Sequence, residues 1–164
     1  MKGRLLIYLA ELPDEGMSVS GELPKEVFDL SEKDAVPMGP LEYNLWVQRF
    51  ASELLLTGSL SAPFEFECVR TLHPFIQTIR LEHAAVSIEI GNTGEVDVTD
   101  ALREEILINF PNDPKCEEGD DPQNCEIDPR YLSVDKPGDD ELPTPPRAES
   151  DDRWSALDDL KDQL

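Results

Sequence analysis

From Leu54 to Cys68 the chain alternates with period two. The even positions read Leu54, Leu56, Gly58, Leu60, Ala62, Phe64, Phe66 and Cys68, while Thr57, Ser59, Ser61, Glu65 and Glu67 hold odd ones. One apolar face and one polar face is the pattern of a half-buried antiparallel strand. A strand of this length should not run flat, so Gly58 or Pro63 is expected to mark a bulge or bend. Upstream, Leu41, Tyr43, Leu45 and Val47 alternate with Glu42, Asn44 and Gln48, which predicts a long hairpin turning near 49–52. Further strands are expected at 4–9, 17–22, 75–81 and 84–90, with Gly91-Asn92-Thr93-Gly94 as a turn.

Helical spacing enters later. Val98, Leu102, Ile106 and Phe110 recur every four residues, with Asp97 or Thr99 placed to cap and Pro111 to stop. A second helix is expected over 151–164, where Trp154, Leu157, Leu160 and Leu164 form an apolar stripe. So short a helix needs a surface to dock on. The expected fold class is α+β: an antiparallel β-sheet or partly closed barrel with one covering helix, an acidic tail without fixed structure and a short C-terminal helix.

Composition sets the expected boundaries. Of the 14 prolines, eight lie between Pro111 and Pro146, among many acids. Such a stretch buries too little apolar surface to offset the entropy of ordering it. The expected division is therefore a β-rich core at 1–111, an acidic Pro-rich linker without fixed structure at 112–150, and an amphipathic helix at 151–164.

The 164 residues carry 36 acids against 14 Lys and Arg, a formal charge of −22. Residues 1–111 hold 8 basic and 19 acidic side chains and residues 112–164 hold 6 and 17, net −11 in each part. A field of this sign repels RNA over a Debye length of about 8 Å, and phosphate binding needs clustered Lys and Arg. Arg49, Arg70, Arg80 and Arg103 are too diluted by acids to supply a basic patch. Direct contact with nucleic acid is not expected, and anionic membranes are disfavoured likewise. Basic proteins are the partners such a field attracts. The longest early apolar run, 5–10, is too short for a signal peptide or a membrane helix. Three widely spaced cysteines are not a secreted disulfide framework, so a cytoplasmic protein is expected.

Catalytic motifs are missing. The sequence has no G-x-S-x-G, P-loop, G-x-G-x-x-G or H-E-x-x-H, and its two histidines, His73 and His83, fall in sheet or turn positions. Adjacent acids such as Glu104-Glu105 and Asp139-Asp140 read as solvated charge, because nothing apolar beside them would split their pKa values. No enzyme, catalytic residue or cofactor is expected. Cys68-Val69-Arg70-Thr71 has the outline of C-x-x-C with Thr at the second position. The best zinc set would be Cys68, His73, Cys116 and Cys125, at spacings looser than zinc fingers use. The preferred reading is a core Cys68 and two unpaired tail thiols, joined as a Cys116–Cys125 disulfide only on oxidation, with no metal.

Four stretches in order carry a resemblance: the N-terminal LIYLAELP, the strand LLLTGSLSAPFEFECVRTLHPF, the helix GEVDVTDALREEILINFP and the closing RWSALDDLK. Together they resemble the YceD family of bacterial proteins that support accumulation of large ribosomal RNA. The resemblance spans nearly the whole chain. It places Cys68, Arg70 and Leu72 on a C-x-R-C-L-like motif, with Thr71 replacing its second cysteine, and matches Cys116 and Cys125 to further family cysteines. With one ligand missing, a metal site of four-cysteine members does not carry over. The resemblance implies a non-enzymatic part in 23S ribosomal RNA accumulation, with a large-subunit ribosomal protein or a pre-ribosomal particle as partner. Trp154, Leu157 and Leu160 are the candidate partner-binding residues. The alternative is an acidic nucleic-acid mimic that occupies the cationic groove of another protein.

Overall fold

The structure, a computed structural model, describes residues 3–31 and 35–131. The chain divides between Pro129 and Arg130. The first unit consists of strands β1 (Leu6–Tyr8), β2 (Met17–Leu23), β3 (Val36–Pro37), β4 (Leu41–Phe50), β5 (Glu53–Glu67), β6 (Pro74–Glu89) and β7 (Glu95–Asp97), then helix α1 (Thr99–Leu107). Short 3-10 turns occupy Lys25–Phe28 and Cys116–Glu118.

The alternating run becomes β5, the centre of the sheet. Antiparallel neighbours flank it, β4 and the short β3 on one side and β6 on the other, while β2 pairs with β4. The sheet is open; it does not close into a barrel. β1 and β7 make a separate antiparallel pair. The hairpin between β4 and β5 turns at Ala51, whose φ is 55°.

On β5 the parity of the sequence is preserved from end to end. Leu54, Leu56, Leu60, Ala62, Phe64, Phe66 and the following Cys68 are all buried. The irregularity falls at Gly58, one of the two positions expected to mark it, with the extra residue on the partner strand. Gly58 faces Ala84 and Leu60 faces Leu81, so β6 spends one residue more than β5 across this step. An extra residue in one strand reverses which parity points inward. Phe75 and Ile79 are buried before the bulge, Ala84 after it. Residues 75–81 and 84–90 therefore read as two strands in the sequence, whereas they are one continuous β6.

Helix α1 covers the sheet. Val98, Leu102 and Ile106, one turn apart, are fully buried. The start is held by Asp97, whose Oδ1 accepts from the Thr99 amide at 3.0 Å, and by Thr99 Oγ1, which accepts from the Leu5 amide at 2.8 Å. Arg103 donates to the Phe28 carbonyl at 2.9 Å, tying the helix to the first 3-10 turn. Beneath lies an aromatic cluster in which Phe64 meets Phe28 and Phe110 edge-on at 4.8 and 4.7 Å. Edge-to-face rings of this kind add about 1 kcal/mol per pair beyond the area they bury.

The expected boundary at 111 is corrected. Residues 112–129 belong to the first unit. The Val69 amide donates to the Pro114 carbonyl at 2.9 Å and the Asp120 amide to the Ile76 carbonyl at 2.8 Å, so the segment lies along the start of β6. Acidic composition did not prevent docking, because the backbone groups of β6 and a few side chains supply the anchors. Residues 132–150 and the expected helix at 151–164, with Trp154, Leu157 and Leu160, lie outside the described residues.

A candidate thiol centre at the end of the central hairpin

The turn joining β5 to β6 is where the sequence motif CVRTL sits. It closes on itself: the Cys68 amide donates to the His73 carbonyl and the Leu72 amide to the Cys68 carbonyl, each at 2.9 Å. Closure forces Leu72 into the left-handed region at φ 56° and leaves its side chain 66% exposed. Cys68, still on the inward parity of β5, turns its sulfur into the core.

The docked segment brings the other two cysteines to the same place. Cys116 opens the second 3-10 turn, and the Gln123 amide donates to its carbonyl at 3.1 Å, folding 116–123 into a loop that returns Cys125. All three cysteines are buried, and their sulfurs lie within 4.8 Å of one another. Cys68 Sγ and Cys125 Sγ are 3.4 Å apart. Thr71 Oγ1 stands 3.8 Å from Cys116 Sγ, and Cys116 Sγ lies 3.9 Å from the Asn124 carbonyl. Arg70 reaches across the turn, donating to the Cys125 carbonyl at 3.5 Å and meeting Glu117 at 3.4 Å.

Burial pushes the Cys68 thiol up, but the Thr71 hydroxyl and the backbone amides of Thr71, Cys116 and Arg70 bond its sulfur and outweigh that, holding it down at about 5. Burial and the neighbouring Cys125 raise the Cys116 thiol, against a lowering contact with Thr71. Environments that push neighbouring groups apart in this way fix their protonation states. The lowered value favours the thiolate at Cys68 at neutral pH, and the raised one favours the thiol at Cys116.

Of the expected motif residues, Cys68, Arg70, Cys116 and Cys125 converge, and Leu72 does not join them. Cys116 and Cys125 are free thiols, as expected, but their place in a tail is corrected: both are buried in the first unit, against Cys68. His73, weighed as a ligand, offers only its backbone to the turn; its side chain is exposed. Thr71, read in the sequence only as a missing cysteine, is a wall of the centre. A second feature had no sequence signal: Asp120 Oδ1 and Oδ2 accept from the Thr78 amide and hydroxyl at 2.9 and 2.6 Å, clamping the loop to β6. Three sulfurs converging in one buried group are a soft donor set, suited to a thiophilic ion and to thiol–disulfide chemistry.

No helix among the described residues is long and apolar enough to cross a membrane. No family model, curated protein or solved structure matches the chain.

Proposed function

We propose that the protein is a non-enzymatic, cytoplasmic factor in biogenesis of the large ribosomal subunit. In this reading it supports accumulation or processing of 23S ribosomal RNA by binding a basic ribosomal protein or assembly partner. The observation that carries the reading is the convergence of the motif residues. Cys68 and Arg70 lie more than 40 residues from Cys116 and Cys125, yet all four meet at one point of the fold. Elements of a resemblance that are scattered in sequence and joined in space support a shared architecture. The charge of −22 supports the kind of partner, since complementary fields speed encounter with a basic protein and repel RNA.

Affinity capture from a bacterial lysate at low and high salt, with and without RNase, tests the reading. The expected result is capture of large-subunit ribosomal proteins that survives RNase and weakens as salt rises. Replacing Trp154 and Leu157 with Ala should weaken that capture while leaving the melting temperature unchanged. Loss of the captured proteins on RNase treatment would replace the protein-mediated route with RNA contact. Capture of only DNA-binding proteins would favour the nucleic-acid mimic.

A further inference from the structure

We propose that Cys68, Cys116 and Cys125 form a three-sulfur site for one thiophilic divalent ion of the zinc class, with its fourth position, on the Thr71 side, left to water. This inference does not rest on the ribosomal reading and stands or falls without it.

Two separate segments hold the sulfurs together. Cys68 is fixed by the parity of β5 and the closed turn after it. Cys116 and Cys125 are fixed by the docked loop, which is anchored at Val69, Ile76 and Thr78 through contacts that do not involve sulfur. The backbone thus delivers three thiols to one buried point from two separate segments. As plain core residues, cysteines would pack as small hydrophobes with no reason to turn their sulfurs together. Here every pair of sulfurs lies within 4.8 Å. Zinc–sulfur bonds of about 2.3 Å put thiolates on a common ion roughly 3.8 Å apart, so small side-chain adjustments bring all three onto it.

The fourth corner decides what kind of site this is. Structural zinc sites close with four Cys or His ligands, whereas sites with three protein ligands keep an exchangeable position. In this chain Thr71 occupies the side of the group that the fourth thiolate of a C-x-x-C pair would take, with its hydroxyl 3.8 Å from Cys116 Sγ. A neutral hydroxyl is a poor ligand for a soft ion but a good hydrogen-bond partner for a water bound to it. His73 does not fill the gap, since its side chain is exposed and stands apart from the sulfur group. A three-sulfur site of this form takes up metal and also gives it up to a competing chelator.

The test uses the full-length reduced chain with zinc or cobalt as the added metal. Elemental analysis after dialysis should give one zinc per chain. Cobalt should produce the sulfur-to-metal charge-transfer band of thiolate ligation. Competition with a colorimetric chelator should strip the wild-type protein readily. Thr71→Cys should tighten zinc binding by about tenfold or more, because it completes the four-ligand set. Cys68→Ser, Cys116→Ser and Cys125→Ser should each abolish the cobalt band, with circular dichroism reporting whether the variant is folded. The Thr71→Cys comparison keeps the test decisive where a Ser variant fails to fold. No bound zinc in a chain with three titratable thiols would overturn the proposal. So would zinc that persists in a folded Cys125→Ser variant, or a Thr71→Cys variant that binds no tighter than wild type.

Discussion

Cutting the chain after Pro111 removes a segment whose composition marks it as a linker and whose contacts mark it as part of the domain. The structure lets the loss be sized against a second cut after Pro129, which spares the docked loop. The first cut deletes the Pro114 carbonyl that Val69 bonds, the Asp120 amide that bonds Ile76, and both Asp120–Thr78 bonds. Such bonds contribute about 1 kcal/mol each when shielded and less where water competes, so together about 2–3 kcal/mol. It also strips the cover from Phe75, which is 4% exposed. Gly119 lies so close that a Cβ there would stand 2.8 Å from the ring. Baring one face of that ring costs about 2 kcal/mol at 25 cal/mol per Å2. Burial of Cys116 and Cys125 also favours docking and the ordering entropy of the loop opposes it, and the expected net loss is about 2 kcal/mol. For a domain of this size that lowers the melting temperature by about 5–10 °C. Thermal melts followed by circular dichroism on the two truncated proteins measure the difference. If the two melted within about 2 °C of each other, the loop would contribute nothing net and the redrawn boundary would be wrong.

Two further perturbations probe the sheet and the clamp. Gly58 has φ 151°, and a Cβ there would stand 2.2 Å from the Asn44 carbonyl oxygen, so Gly58→Ala should cost about 3 kcal/mol or more in a denaturant titration. Gly94, at φ 74° with open space around it, should cost only about 1 kcal/mol on the same change, and equal losses would remove the steric argument. Burial pushes the Asp120 carboxyl up, but the Thr78 hydroxyl and amide and the charge of Arg80 outweigh it and hold it below the usual carboxylate range. Its contribution is therefore complete above the ordinary value near 4, and it is lost as pH falls through the lowered one. Asp120→Asn should be less stable than wild type by about 1 kcal/mol at pH 7, a figure kept small by the exposed setting. The gap should close as the pH is taken below about 4, and a constant gap from pH 7 to pH 3 would rule out the charge as its source.

Much of the sheet was legible because period-two alternation records a physical demand, one face in the core and one in water. Along β5 the inward residues are those the alternation selects. The same logic explains where reading failed. The break between Leu81 and Ala84 is a change of parity, and sequence offers two causes for it, a turn or a bulge. Only the partner strand tells them apart, since β5 pairs on both sides of the step and holds both halves of β6 in one ladder. The helix was legible for a related reason: Val98, Leu102 and Ile106 declare a buried stripe, although the N-cap falls on Val98 rather than on Asp97 or Thr99, and Asp97 contributes by accepting from the Thr99 amide.

The thiol centre was hidden by two kinds of averaging. Composition over 112–150 blends a docked loop with the Pro-rich sequence after it, and a mean dominated by Pro, Asp and Glu conceals that Cys116 and Cys125 are buried. Docking of that loop depends on a handful of contacts rather than on an apolar stripe, so no periodicity announces it. Asp120 illustrates the point: in a charge count it is one acid among 36, while in the fold it receives two hydrogen bonds from Thr78. The ligand count failed differently. Spacing asks whether donors are close along the chain, and by that measure Cys68 and Cys125 are unrelated. Coordination and thiol chemistry ask only whether sulfurs are close in space, and here the two lie 3.4 Å apart because one ends a strand and the other ends the loop that covers it. Thr71 at that point sets the number of sulfurs without touching the scaffold that gathers them. Ligand count and scaffold can therefore be varied independently, and Thr71→Cys changes the first while leaving the second as it is.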